Sequence, residues 1–335
     1  MESTRCRSVL RFVVLLGALC PLLARAEATE LRIAHQLGLG YLQIYVMQGK
    51  KLVEKYARKE GIKNLTVTYK GIGSPAILND GILSGRLDMV TAGPPPFLNI
   101  WDRTKGTLNV KMLTALNMQP MRLNTSDPAV KTVCDFTEKD RIAVPGVKTS
   151  MHAILLDMAA KKCGKPVHFF DALEAPLSHP DAAIALTSGK SIITGHFATI
   201  PYDSIELEHP NIHTVITSYD LTGGPSIVTG IWLSQKFYDA NPKIMHAVFQ
   251  ALEESTKLIR SDPQEAAKIY LSLEKTPLNE QQVVAILKNP NNVYTLTPHK
   301  IMVFAKFMHS LGLLKNEPAS WKDLFFPMIY GRNGS

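Results

Sequence analysis

Short polar stretches that follow apolar ones carry most of the chemistry this chain offers: His35-Gln36, Gly73-Ser74, Thr91 with Gly93, Lys148-Thr149-Ser150 with His152, and His196. They supply hydrogen-bond donors, or glycines that let a backbone approach a ligand closely, and they hold no carboxylate before Asp203. Such a set suits an anion or a polar acceptor better than a cation. A charge-assisted hydrogen bond contributes roughly 1.5–3 kcal/mol, so three or four of them, less the cost of ordering, reach the roughly −8 kcal/mol of micromolar binding. Ser74, Thr149 and Ser150 also fit the plainer role of helix N-caps. The chain is poorly equipped for catalysis: it has no Gly-x-Ser-x-Gly elbow, His-Glu-x-x-His pair or phosphate loop. His35, His152 and His196 have no acid or cysteine near them in sequence to complete a metal centre. Neither an enzyme, a cofactor nor a metal is expected.

The elements that must position these groups alternate between strand and helix. Thr66–Pro96 reads as a strand, the turn Gly71-Ile72-Gly73, a helix from Ser74 to Ser84, a strand at Leu87–Thr91 and a Gly-Pro loop that opens another helix with Pro94-Pro95-Pro96. Leu31-Arg32-Ile33-Ala34 is a strand before His35, and one helix is expected from Tyr41 to about Arg58. A second set restarts at Arg141-Ile142-Ala143-Val144, with a helix from Thr149-Ser150, strands at Val167–Phe170 and Ile192–Thr194, and a helix at 180–188 between them. Ser188-Gly189-Lys190 echoes Ser84-Gly85-Arg86. Strands at Ile212–Thr217 and Ile227–Leu233 precede a helical tail: 242–260, 263–273, 279–288 and 298–314. Alternation of this kind predicts parallel βαβ units with polar loops at the strands' carboxyl ends, where open α/β sheets bind ligands. Four of those loops are expected to present helix N-termini to an anion. Asp88 reads as a turn or lobe-stabilising residue, and Trp101 as core.

Residues 1–26 read as a cleaved export signal: Arg5, Arg7 and Arg11, an apolar run at Phe12–Leu23, and Ala24-Arg25-Ala26. A lipoprotein alternative rests on Cys20 but has Leu19 where a small residue is wanted. The run is shorter than the roughly 18 residues of a membrane span, so a periplasmic location is expected. Loss of the segment's four arginines and one glutamate takes the formal charge from +8 to +5. The remaining basic residues are scattered, which argues against nucleic acid. Cys134 and Cys163 are left in an oxidising compartment, where a disulfide is open but not fixed by spacing. A chain this long calls for two cores. The expected division is a first lobe of residues 27–122 and 222–335 and a second of 123–221, with the first crossing within 124–140 and the return at Ser218–Pro225.

In their order along the chain, Leu31-Arg32-Ile33-Ala34-His35, Gly71-x-Gly73-Ser74, Leu83-Ser84-Gly85-Arg86-Leu87-Asp88, Gly93-Pro94 and Arg141-Ile142-Ala143-Val144-Pro145 resemble the solute-binding proteins of nitrate/taurine/sulfonate-type ABC importers. The tail motifs Asp262-Pro263-Gln264-Glu265-Ala266-Ala267 and Leu311-Gly312-Leu313-Leu314 agree with it. The resemblance implies a type II periplasmic-binding fold, α/β lobes joined by two crossings around a cleft. It also implies capture of a sulfonate, nitrate or carboxylate-like solute by hinge closure, and partnership of a monomer with a membrane permease and its ATPase. Two departures matter. Ile192 stands where relatives often carry an acid. Thiamine-pyrimidine synthases on the same fold carry a cysteine-rich iron-binding run, whereas Cys134 and Cys163 stand singly.

Overall fold

The computed structural model describes residues 27–335; the expected export segment, residues 1–26, lies outside the described residues. Three short apolar runs pair in parallel to start the first sheet: β1 (Glu30–His35) between β2 (Thr66–Gly71) and β3 (Met89–Ala92). Helices α1 (Leu42–Gly49) and α2 (Leu52–Lys59) connect β1 to β2, and α3 (Pro75–Leu83) connects β2 to β3. From β3 the chain enters α4 (Pro94–Arg103) and then β4 (Lys111–Met118). Proline opens α3 and α4 at little cost because the first turn of a helix leaves its N–H groups without intrahelical partners.

The chain then passes through Gln119-Pro120-Met121 into a second sheet, which it joins antiparallel as β5 (Arg122–Thr125). There follow β6 (Ile142–Val144), α5 (Met151–Lys162), β7 (Glu174–Pro176), α6 (His179–Thr187), β8 (Gly195–Ala198), α7 (Tyr202–Leu207), β9 (His213–Thr217) and α8 (Ser218–Thr222). It returns as β10 (Ile227–Leu233), antiparallel between β3 and β4. The tail is α9 (Gln235–Ala240), α10 (Pro242–Ser261), α11 (Pro263–Leu273), α12 (Glu280–Lys288), the edge strand β11 (Val293–Tyr294) and α13 (Ile301–Ser310). Strand orders are β11-β4-β10-β3-β1-β2 and β7-β6-β8-β5-β9. In each sheet three neighbouring strands run parallel, β1 to β3 and β6 to β8, and each trio is joined by a strand that enters antiparallel directly after a crossing, β10 in the first and β5 in the second. A single apolar core runs from Phe97 and Trp232 of the first lobe to Met151 and Leu155 of the second, while a separate core packs α1, α2, α10 and α11 on the first sheet.

Several elements differ from the sequence reading. The helix expected over 41–58 breaks at Lys51, which sits at φ 49°, because α1 ends at Gly49. A Cβ there would lie 2.7 Å from Ile269 of α11, so the close approach requires glycine and glycine weakens helix continuation. The strand expected at Val167–Phe170 is a 3-10 turn, Phe169–Ala172, entered at His168 with φ 70°. Phe169 and Phe170 stack edge to face at 5.1 Å instead of alternating across a sheet, and β7 fills the strand's place. The strand at Ile192–Thr194 lies three residues further on, as β8, with Ile192 exposed. The segment expected as the return crossing holds α8, and α9 was not read from sequence. Gly85 and Gly189 share a positive φ, 67° and 64°, so the Ser-Gly-basic echo is a repeated way of leaving a helix.

Candidate functional site

The loops beyond the carboxyl ends of β1, β2 and β3 meet those beyond β6, β7 and β8 face to face. The approach is close enough to measure at three glycines. A Cβ on Gly73 would lie 3.1 Å from Ser178 Cβ, one on Gly93 3.0 Å from Met151 Cβ, and one on Gly146 3.5 Å from Pro75. On the crossing side, Leu39 N–H donates to Ile200 O at 3.2 Å and the Gln119 amide donates to Thr199 Oγ1. Between the lobes remains a cavity of about 20 Å³, lined from the first lobe by Gln36, Tyr41, Gly93 and Thr229 and from the second by Ser150, His152, His179 and Thr199. That is room for about one water, so anything larger enters as the lobes separate. No lysine, arginine or carboxylate lines it among the described residues. A larger groove of about 570 Å³ beside Ser84 and Asp88 opens elsewhere on the first lobe. In it Asp88 is paired with Arg32, and Asn241 is bonded to Ala28 and Phe237.

His152 is the cavity's most unusual group. It is 7 % exposed, and neither ring nitrogen has a partner among the described residues. A buried polar group without a partner is costly, which marks a position kept for something other than stability. Burial, with the nearby His196 ring, lowers its pKa to about 3 and holds it neutral. His152 meets His179 edge to face at 4.7 Å. His179 Nδ1 lies 2.8 Å from His196 Nε2, and His196 Nδ1 is hydrogen-bonded to Glu206. Glu206 also accepts from Asn124 Nδ2 at 2.8 Å, and Asn124 is fixed by the Thr214 hydroxyl at 2.7 Å. A wholly buried line of side chains therefore runs from β5 and α7 to the cavity.

The residues singled out from sequence separate into three groups. Gln36, Gly93, Ser150 and His152 line the cavity. Gly73 and Ser74 stand at its edge. The Gly73 carbonyl accepts from Gln36 Nε2 at 3.0 Å, and Ser74 is the N-cap of α3 without a side-chain capping bond. Ser150 does cap α5, accepting from Ala153 N–H at 3.3 Å, which leaves its hydroxyl hydrogen for another partner. The remaining five lie elsewhere. His35 and Thr91 are registered neighbours on the sheet face toward α1, where the His35 ring packs edge-on to Tyr45 at 4.7 Å. Lys148 and Thr149 are exposed, and Lys148 Nζ sits 3.3 Å from Asp171. His196 is inside a strand and reaches the cavity only through His179. Sequence reasoning missed His179 because the helix was started at Pro180. Ser178-His179-Pro180 occupies the place in the second lobe that Ser74-Pro75 holds in the first, and that parallel was available.

Two expectations about charge also change. The N-terminus of α4 offers no anion site, since Pro94, Pro95 and Pro96 have no N–H and Phe97 N–H turns back to Gly93 O. On α5, by contrast, the Met151 and His152 amides have no carbonyl partner among the described residues. Asp157, His168 and Asp171 bring ligand-type atoms within 4.8 Å of one another on the outer side of the second lobe. They are already bonded together, His168 N–H to Asp157 at 2.8 Å and Lys148 to Asp171, so the cluster stands without an ion.

No family model matches the chain, and no curated protein does. Solved structures do match. The alkanesulfonate-binding protein SsuA from Xanthomonas axonopodis pv. citri, bound to MOPS, superposes with a TM-score of 0.68 at 19% identity, over 87% of this chain and 96% of that one. The fold is that of the periplasmic binding proteins. The periplasmic aliphatic sulphonate binding protein SsuA from Escherichia coli gives 0.66 at 16% over 90% and 92%. The periplasmic nitrate-binding protein NrtA from Synechocystis PCC 6803 gives 0.65 at 13% over 89% and 84%.

Proposed function

We propose that this chain is the solute-binding component of an ABC importer, capturing a small anionic organic solute, a sulfonate, nitrate or carboxylate-like compound, by hinge closure and delivering it to a permease and its ATPase. The observation that carries this reading is His152, a buried side chain that lines the interlobe cavity and whose two ring nitrogens have no partner among the described residues. Around it the second lobe supplies the Ser150 and Thr199 hydroxyls and the α5 amides, all of them donors. The solved relatives named for sulfonate and nitrate binding support the same solute class. In this reading residues 27–122 with 222–335 move against 123–221, the protein acts as a monomer, and residues 1–26 export it to the periplasm. Among the described residues no helix is long and apolar enough to cross a membrane.

The test is a thermal-shift and calorimetry panel of alkanesulfonates, nitrate, carboxylates and pyrimidines, with mass spectrometry of any small molecule that co-purifies. Stabilisation by one anionic class is expected. No shift with any compound and no co-purified solute overturns the proposal, as does turnover of a bound one. In His152→Ala, affinity should fall by roughly tenfold or more, the loss of one or two hydrogen bonds in a dry site. Its unliganded melting temperature should hardly change, because the ring makes no hydrogen bond to lose. Unchanged affinity would remove His152 from the site.

A further inference from the structure

The line from Glu206 through His196 to His179 can be read by counting protons. It has two internal junctions, Glu206 to His196 Nδ1 and His196 Nε2 to His179 Nδ1, and each needs one proton. With two protons the junctions are filled and His179 Nε2 is left as a bare acceptor. A third proton has two possible ends at which to appear. At the Glu206 end Oε2 already accepts Asn124 Nδ2 at 2.8 Å, and Asn124 is held that way round because its Nδ2 also donates to the Asp203 carbonyl at 3.4 Å, against which a turned amide would set its own oxygen. The third proton therefore emerges at His179 Nε2, on a residue that lines the cavity and whose Nε2 has no hydrogen-bond partner among the described residues. Whichever ring formally carries the charge, the cavity end changes from acceptor to donor.

Resting on the anion-binding reading above, we propose that the site binds its anion together with a proton, with His179 as the group whose switch from acceptor to donor makes anion binding proton-coupled. No fixed cation lines the cavity, so a bare anion entering it would be unpaired in a dry space, an arrangement costly enough to draw in a neutralising charge. The groups packed around the relay offer no substitute. Tyr202 of α7 stacks on His179 at 5.7 Å, Asp203 of α7 is taken up by Arg122 of β5 at 3.3 Å, and His152 of α5 lies edge-on. In the unliganded protein burial, then the rings of His152 and His196, hold His179 well below the usual imidazole range, so it is neutral at pH 7. A bound anion raises it. Affinity therefore increases as pH falls toward the unliganded titration and levels off below it.

Nitrate and ethanesulfonate are suitable probes because both stay ionised across pH 5.5–8, so any pH dependence belongs to the protein. Calorimetry in two buffers of different ionisation enthalpy should show uptake approaching one proton per anion at pH 7, and the dissociation constant should rise by up to tenfold per pH unit above it. This measurement uses the unmodified chain and does not depend on a variant folding. In His179→Gln the proton uptake and the pH slope should disappear. Binding with no proton uptake, or with a flat pH profile, overturns the coupling while leaving the anion-binding reading in place. A slope that persists in His179→Gln overturns its assignment to His179 and points to His152. Failure of both probes and of every other anion in the panel above to bind at any pH overturns both proposals together.

Discussion

His35 and His152 are both buried and both histidine; from sequence His35 stood at a strand end and His152 one turn into a helix, and the strand end favoured ligand contact slightly more. They differ in what their nitrogens touch. His35 Nδ1 lies 2.7 Å from Gln36 O, the ring packs on Tyr45, and burial takes its pKa to about 4. Its folded value lies below the unfolded value of 6.5, so stability is fully present above pH 6.5 and is lost as pH falls toward 4. The full loss is roughly 3 kcal/mol. In His35→Gln, stability measured by urea unfolding between pH 7 and 4 should lose that share of its slope while solute affinity at pH 7 is unchanged. Glu174 acts in the other direction. Burial first, then Asp171 and Asp157, raise its carboxyl to about 7, so folding gains as pH falls from 7 toward 4.5. Residue types in sequence pointed to polar donors and glycines, and four of those named, Gln36, Gly93, Ser150 and His152, line the cavity. They could not say which histidine is satisfied by a carbonyl and which is left without a partner, because partners such as His179 and Glu206 come from other elements.

Elements were more legible than residues where capping and periodicity agreed. Pro263–Leu273 and Ile227–Leu233 match the sequence reading residue for residue, the first because Asp262 caps a proline-started helix and the second because a wholly buried strand is an uninterrupted apolar run. Elements misread from sequence are those whose backbone is set by a distant neighbour: the break at Lys51 by Ile269, and the turn at His168 by Asp157. The start of α4 shows the same dependence in a form that can be tested. Gly93 has φ −76°, which any residue adopts, so its identity is set by the 3.0 Å approach of Met151 and not by conformation. In Gly93→Val the side chain would push α5 away from α4. Overpacking of this kind typically costs 1–3 kcal/mol. Affinity should fall by roughly tenfold or more, and small-angle scattering should report a larger radius of gyration. Unchanged dimensions and affinity would show that closure does not bring these two helices together.

At the scale of the molecule, a mixed α/β fold with two sheets followed from the alternating elements, and the chain passes between the sheets at Gln119–Met121 and again between β9 and β10. β5 and β10 each join a sheet antiparallel just after a crossing, and nothing in a strand's own composition says which sheet it will pair with. Nor did spacing alone fix the disulfide between Cys134 and Cys163, 29 residues apart, which ties the turn before β6 to the end of α5. Closing a loop of that length stabilises by about 3.5 kcal/mol in the chain-entropy treatment. Both cysteines lie within the β5–β9 region, so reduction should lower the unfolding free energy by an amount of that order. Hydrogen exchange should rise mainly in β6 and α5, with β1 to β3 little affected. A uniform rise over both sheets would mean the two lobes unfold as one unit.

The three prolines that open α4 bear on something beyond geometry, the order of events in time. They leave the first lobe's wall short of main-chain donors, while the second lobe offers the α5 amides, two hydroxyls and two imidazoles. If the chain captures a solute as proposed, the second lobe holds it first and the first lobe comes down afterwards as a cover. Changes on α5 and α6 should act on the rate of capture, and changes at Gly93 on how long the captured molecule stays.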